Sequence, residues 1–305
     1  MLQFLPAVLR GAITLFLLAV YTFLLALMIF CFGLLRLLPI VKLRKTLDHF
    51  LHSIPEYWTA FLKLLLRLFI KTDWQVHGLK KLDPEGHYVM VANHRSWLDI
   101  LVLQKIFSRK IPGLRFFMKK ELMWQLPIIG FACKLLGFPL MQRYSREFLK
   151  KNPHLKGKDI EATRKICERF RENPVTLINF IEGGRFTKEK HRKQKSPYKN
   201  LLKPKAGGLA FVLASMSDQL DAIIDVTIIY PHQDISFWDF LCGKTESVQV
   251  YIHTQPIKEE LLGDYQNDER FQKFFQDWLN EQWAKKDKFI TDRLCLNESK
   301  TNPPT

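Results

Sequence analysis

Tyr88-Val89-Met90-Val91-Ala92-Asn93 and Val175-Thr176-Leu177-Ile178-Asn179-Phe180-Ile181 are the stretches whose reading decides the fold. Each is a short apolar run rich in Val and Ile, the pattern of a strand covered on both faces in a parallel sheet. From Trp74 onward such runs alternate with amphipathic segments, which predicts an α/β domain. The predicted strands are Trp74 to Val76, His87 to Ala92, Leu114 to Met118, Phe138 to Met141, Val175 to Phe180, Ala222 to Ile229 and Val248 to His253. Helices are expected at Ser96 to Phe107, Lys120 to Leu136, Asp159 to Arg171, Ala206 to Met216 and Asp268 to Leu294. The architecture implied is a mixed, largely parallel sheet of about seven strands flanked by helices.

The N-terminal region reads differently. Gly11 through Leu35 carries no charged residue and no histidine, and as a helix it reaches about 37 Å, enough to cross a bilayer once. Arg36-Leu37-Leu38-Pro39 follows instead of a small-residue cleavage site, so the segment is expected to stay as an anchor. Arg36, Lys42, Arg44 and Lys45 on its C-terminal flank, against Arg10 on the other, place the rest of the chain on the cytoplasmic side. The apolar length fits either a span or a helical hairpin that enters one leaflet. Tyr57 to Ile70, with Lys63 and Arg67 on one helical face, reads either as an interfacial helix or as a surface helix packed on the domain. The domain limits are therefore 1–72 for the anchoring helices, 73–296 for the α/β domain and 297–305 for a polar, disordered tail.

In 305 residues, 46 Lys and Arg against 30 Asp and Glu give a formal charge of +16, which calls for an anionic partner such as a lipid headgroup, a cofactor phosphate or nucleic acid. The five cysteines are scattered without metal-site spacing, so neither a zinc site nor a disulfide framework is expected. Lys188 to Lys205 concentrates eight cations against one acid, as a solvated loop would, or as a loop meeting phosphates or an anionic membrane.

Both decisive strands lead into short polar segments, and an α/β sheet builds its site at such strand ends. After the first come His94-Arg95-Ser96-Trp97-Leu98-Asp99, with Ser96 as the expected helix cap. Asp99, on the first turn, can reach one ring nitrogen of His94, fix its tautomer and leave the other nitrogen to accept a proton from an alcohol. Taken alone, the spacing also fits a histidine that merely caps a helix. After the second strand come Glu182-Gly183-Gly184-Arg185, a tight turn presenting an arginine whose planar fork suits phosphate. Taken alone, it also fits an ordinary glycine turn with a surface ion pair. Lys119 and Arg143 either add cations at the same strand ends or belong to a helix with basic ends. There is no G-x-S-x-G elbow and no Walker or Rossmann glycine pattern.

Together the segments resemble those of the glycerolipid acyltransferase family, whose best-known members are the 1-acylglycerol-3-phosphate acyltransferases. The resemblance runs from about Trp74 to Pro231. His94 through Asp99 is similar to the family's H-x-x-x-x-D block, which implies His94 as base and Asp99 as its partner. Glu182, Gly183, Gly184 and Arg185 resemble its E-G-T-R block, which implies glycerophosphate binding. Gly137 to Arg143 resembles an intervening block whose arginine holds the acceptor phosphate, with Lys119 as an accompanying basic position. Gly184 departs from the usual threonine or serine, and Gln142 from a common acid. Asp225-Val226-Thr227-Ile228-Ile229-Tyr230-Pro231 keeps one proline of a usual pair, as in a longer branch with lysocardiolipin and lysophosphatidylinositol acyltransferases and bacterial inner-membrane relatives.

The resemblance implies transfer of a fatty acyl group from acyl-CoA or acyl carrier protein to a lysophospholipid hydroxyl in phospholipid synthesis or remodelling. It implies no permanently bound cofactor or metal, membrane phospholipid and the lysophospholipid as partners, no nucleic acid, and a bacterial inner-membrane location. Two other readings stand beside it, the first taking the motifs as coincidences and the second keeping His94 as base without needing Arg185. One is a basic membrane-surface protein that binds lipid or nucleic acid without catalysis, and the other is an acyl thioesterase in which water replaces the acceptor.

Overall fold

A computed structural model describes residues 2, 4–119, 121–125, 127–141, 168, 174–232, 235–265 and 267–301. Its strands are β1 (Asp73–His77), β2 (His87–Ala92), β3 (Leu114–Phe116), β4 (Met118–Lys119), β5 (Leu140–Met141), β6 (Val175–Asn179), β7 (Ala222–Ile229) and β8 (Ser247–Gln255). The helices are α1 (Ala7–Leu35), α2 (Val41–Phe69), α3 (Leu98–Phe107), α4 (Leu122–Gln125), α5 (Pro127–Leu135), α6 (Lys188–Gln194), α7 (Ala206–Met216), α8 (Phe237–Leu241) and α9 (Glu269–Thr301).

Six strands form one sheet in the order β1-β8-β7-β2-β6-β3. The four from β7 to β3 are parallel, β8 runs antiparallel to β7, and β1 pairs parallel with β8. Met90 on β2 sits between Ile178 and Ile224 in register, so the two decisive strands are neighbours at the centre of the sheet. The pleat sends Tyr88, Met90 and Ala92 into a core with α2 and α3, while Val89 and Val91 pack with α7 and α9. Coverage of both faces is why these strands read as continuous apolar runs rather than as alternating ones.

Among the described residues the sheet has six strands rather than about seven, because the third and fourth predicted strands do not simply join it. Leu114 to Phe116 pairs with β6, Phe117 donates its N–H to the Ile178 carbonyl, and Met118–Lys119 then pairs with Leu140–Met141 as a separate ribbon. The helix expected from Lys120 to Leu136 is two pieces, with Pro127 opening the second, since a proline ring lacks the N–H that would continue the first. Conversely, α2 passes through Pro55. Packing of both halves offsets the lost hydrogen bond: Leu51 and Ile54 meet Ala26 and Ile29 of α1, whereas Leu62, Leu65, Leu66 and Phe69 enter the sheet core. Of the two readings of Tyr57 to Ile70, the structure therefore has the helix packed on the domain.

α1 is long and apolar enough to cross a membrane by length and composition. It also touches the domain near both ends: a Cβ at Gly11 would lie 2.6 Å from Cys242 Sγ, and one at Gly33 would press on a Leu135 methyl. Between them, Trp58 Nε1 donates to Thr22 Oγ1 at 2.8 Å, tying α2 to α1. The remaining side exposes Phe16, Val20, Phe23, Leu24 and Leu27. At the other terminus, α9 continues through Thr301, so residues 297–301, expected in the tail, are helical; Asn297 accepts a hydrogen bond from Gln249. The predicted helix Asp159 to Arg171 and the position of Arg143 lie outside the described residues.

Candidate functional site

β2, β6 and β7 are parallel neighbours, so the residues that follow them gather at one edge. His94 leaves β2, Glu182 leaves β6 and Tyr230 leaves β7. Asn93 fixes this edge by a reciprocal pair of bonds with β7: its Nδ2 donates to the Ile228 carbonyl at 2.9 Å, and its Oδ1 accepts from the Ile228 N–H at 2.8 Å.

The predicted base and its orienter are in contact. His94 Nδ1 lies 2.8 Å from Asp99 Oδ2, with the imidazole 12% exposed and the carboxylate fully buried. The same Oδ2 accepts the backbone N–H groups of Arg95 at 2.6 Å and Ser96 at 2.9 Å, and Oδ1 accepts the Tyr230 hydroxyl at 2.5 Å. A carboxylate so surrounded has one orientation, and it selects the tautomer with the proton on Nδ1. The ring stacks on Phe180, with centroids 4.0 Å apart and planes 15° from parallel, so its tilt is fixed as well. The other nitrogen, Nε2, makes no hydrogen bond among the described residues and can accept a proton. Two details differ from the expected local structure. The helix begins at Leu98, with the Ser96 hydroxyl accepting weakly from the Leu98 N–H at 3.3 Å, and Asp99 takes the amides of Arg95 and Ser96. These two amides are therefore not open to a substrate oxyanion.

Glu182 has a different position from the substrate-facing one the resemblance implies. It is 2% exposed, and its two oxygens accept the backbone N–H groups of His94 and Leu202, each at 2.8 Å. The carboxylate thus ties the base-bearing turn to the loop that follows α6. Burial is the main influence on its acidity and pushes its pKa up to about 7, against the opposing pull of the two amides; Asp99 nearby adds to the rise and Arg95 reduces it.

Gly183 has φ +74°, a left-handed conformation that favours glycine and that turns the chain sharply after Glu182. Gly184 has ordinary φ and room for a side chain, since a Cβ there would meet only Lys190 Nζ, at 3.4 Å. Arg185 is exposed, its guanidinium carbon 4.9 Å from the centroid of Trp97, itself 48% exposed. Trp97 belongs to the His94 turn, so Arg185 stands on the rim of the same edge. Arg95 points the other way, against Phe186 and onto the Asn200 carbonyl. Lys119 closes β4 in the ribbon beside the main sheet. The sequence therefore brought His94, Asp99, Glu182, Gly183, Gly184 and Arg185 together, and missed Tyr230, Asn93 and Phe180. The available signal was position alone: each of the three sits at or just beyond the end of a central strand.

The basic stretch after Arg185 is ordered rather than loose. Thr187 caps α6 by accepting from the Lys190 N–H, and Asp287 on α9 accepts the N–H groups of Lys199 and Asn200 at 2.8 and 2.7 Å.

Residues 73–231 match the family model described as Acyltransferase. The chain is 28% identical over 271 residues to a protein named probable 1-acyl-sn-glycerol-3-phosphate acyltransferase 5 of Arabidopsis thaliana, covering 85% of this chain and 66% of that one. It is 24% identical to a 2-acyl-1-lysophosphatidylinositol acyltransferase of Saccharomyces cerevisiae, covering 72% and 65% respectively. The chain thus spans slightly less than two thirds of the length of these relatives. A crystal structure of the 1-acyl-sn-glycerophosphate acyltransferase PlsC from Thermotoga maritima aligns at 18% identity with a TM-score of 0.46, covering 90% of this chain and 98% of that one. The matched region spans just over half of the chain and contains the His94–Asp99 contact and the Glu182–Arg185 turn: the chain belongs to the acyltransferase family.

Proposed function

We propose that the chain transfers a fatty acyl group from a thioester, acyl-CoA or acyl carrier protein, to the free hydroxyl of a lysophospholipid such as 1-acylglycerol-3-phosphate. The observation that carries this reading is the His94 imidazole held through Nδ1 by buried Asp99 with Nε2 left open. Nε2 takes the proton of the acceptor hydroxyl as its oxygen attacks the thioester carbonyl. The tetrahedral intermediate then collapses, the C–S bond breaks, and the sulfur leaves with the proton from His94. Asp99 stabilises the imidazolium in between. Arg185, on the rim, takes the acceptor phosphate by its planar fork, with Arg143 and Lys119 assigned to the same anion. Gly183 and Gly184 let the backbone come close to it. Glu182 serves substrate indirectly, by bracing the His94 turn.

The membrane setting belongs to the same proposal. The apolar outward side of α1 holds the domain at a bilayer, where the lysophospholipid resides, and the cations after Leu35 favour the cytoplasmic face, in a bacterium that of the inner membrane. Giving the purified protein labelled long-chain acyl-CoA with and without lysophosphatidic acid tests the reading. Label should pass to diacyl phospholipid only when acceptor is present, and Arg185→Ala should raise the acceptor KM far more than that of the donor. Free fatty acid released without acceptor would make the chain a thioesterase, and lipid binding with no turnover would make it a binding protein.

A further inference from the structure

The Tyr230 hydroxyl is a buried polar group for which the proposed reaction has no direct use. Tyr230 follows β7, the strand that Asn93 locks to β2, and its side chain reaches 131 residues back in sequence to Asp99 Oδ1, at 2.5 Å. Oδ1 is the oxygen turned away from His94. The tyrosine is 3% exposed, so its hydroxyl has little access to water and faces a carboxylate. Burial first, and then the Asp99 charge, push it well above the usual phenol range, which keeps it a donor.

We infer that Tyr230 is a positioning residue of the proposed acyl transfer, setting the strength of His94 as a base through the far oxygen of Asp99. The inference rests on His94 acting as that base. A hydrogen bond donated to Oδ1 draws negative charge away from Oδ2. Asp99 then supports the His94 imidazolium less strongly, so the ring stays able to accept a proton at lower pH. The titratable groups facing this carboxylate are His94 from the turn after β2 and Tyr230 from the end of β7, both in contact with it, and Glu182 from the turn after β6, while the Arg95 guanidinium lies on Phe186 and the Asn200 carbonyl. Tyr230→Phe removes this contact without taking away either partner of the His94–Asp99 pair.

Two measurements on the full chain in detergent test this. In Tyr230→Phe, the NMR titration of the His94 ring and the acidic limb of the pH–activity profile with acyl-CoA and lysophosphatidic acid should both move to higher pH, by about half to one pH unit. Incorporating 3-fluorotyrosine at position 230, a stronger donor of nearly the same shape, should move both to lower pH. A His94 titration that stays put in both variants, or moves the same way in both, overturns the inference. The ring titration needs no substrate, so a wild-type chain without acyl transfer would defeat the functional reading while the Tyr230 coupling is still read.

Discussion

Replacing Glu182 by glutamine should change how stability depends on pH, and the structure sets both the sign and the size. The side chain is buried, and its two oxygens each accept one backbone N–H, from His94 and from Leu202. Burial raises its pKa from an ordinary 4.5 to about 7 in the native state. Because the native value lies above the unfolded one, the contribution of this group to stability is complete below about pH 4.5 and is lost as pH rises through 7. The displacement corresponds to about 3 kcal/mol. Glutamine has no such titration, but with a single acceptor oxygen it leaves one of the two buried amides unpaired, a cost of about 1 to 3 kcal/mol at every pH. The variant should therefore melt below the wild type at pH 5 and draw level with it or pass it by pH 8.5. The change in the difference should be about 5 to 10 °C, read from thermal unfolding of both proteins in the same detergent. Taking the difference cancels every group common to the two. Parallel curves across this range would refute the reasoning, since they would mean that Glu182 is not a buried acid held by those amides.

Other substitutions probe separate parts of the molecule. Lys286 is buried on α9, paired with Asp225 and donating to the Val226 carbonyl at 2.9 Å. Lys286→Met should cost about 1 to 3 kcal/mol in urea unfolding, below the figure for a fully buried pair because Asp225 is partly exposed. Gly183→Ala should lower stability by about 1 kcal/mol through its left-handed backbone and reduce acceptor turnover, whereas Gly184→Thr should fold normally. Competition between lysophospholipids of different headgroup would show whether the added hydroxyl of Gly184→Thr shifts acceptor preference; no shift would remove Gly184 from any account of acceptor choice.

How much was legible in the sequence follows from which forces are local. β2, β7 and α7 lie where their apolar periodicity predicts, because strands and helices buried on most sides show their environment in every residue. The His94–Asp99 contact was legible for a similar reason: both ends lie on one strand-to-helix turn, and spacing alone limits what they can reach. Long-range partners were not legible. Nothing around Glu182 indicates that its carboxylate meets the Leu202 amide, and nothing around Tyr230 indicates Asp99, since both contacts arise from strand order, with β6 and β7 on either side of β2. α2 extends well before Tyr57 because α1 and the sheet hold both sides of Pro55, a packing arrangement with no local signature. The antiparallel turn of β8 against β7 has no signature in an apolar run, which looks alike in either direction.

The central claim is that His94 removes the proton from the attacking hydroxyl. Its most direct test is a single-turnover comparison of wild type and His94→Ala, each shown by its unfolding curve to be folded, with labelled acyl-CoA and saturating lysophosphatidic acid. The account predicts that transfer to the lysophospholipid falls by about 10² to 10⁴ in the variant while binding of lysophosphatidic acid is kept. Transfer at the wild-type rate by folded His94→Ala would contradict it.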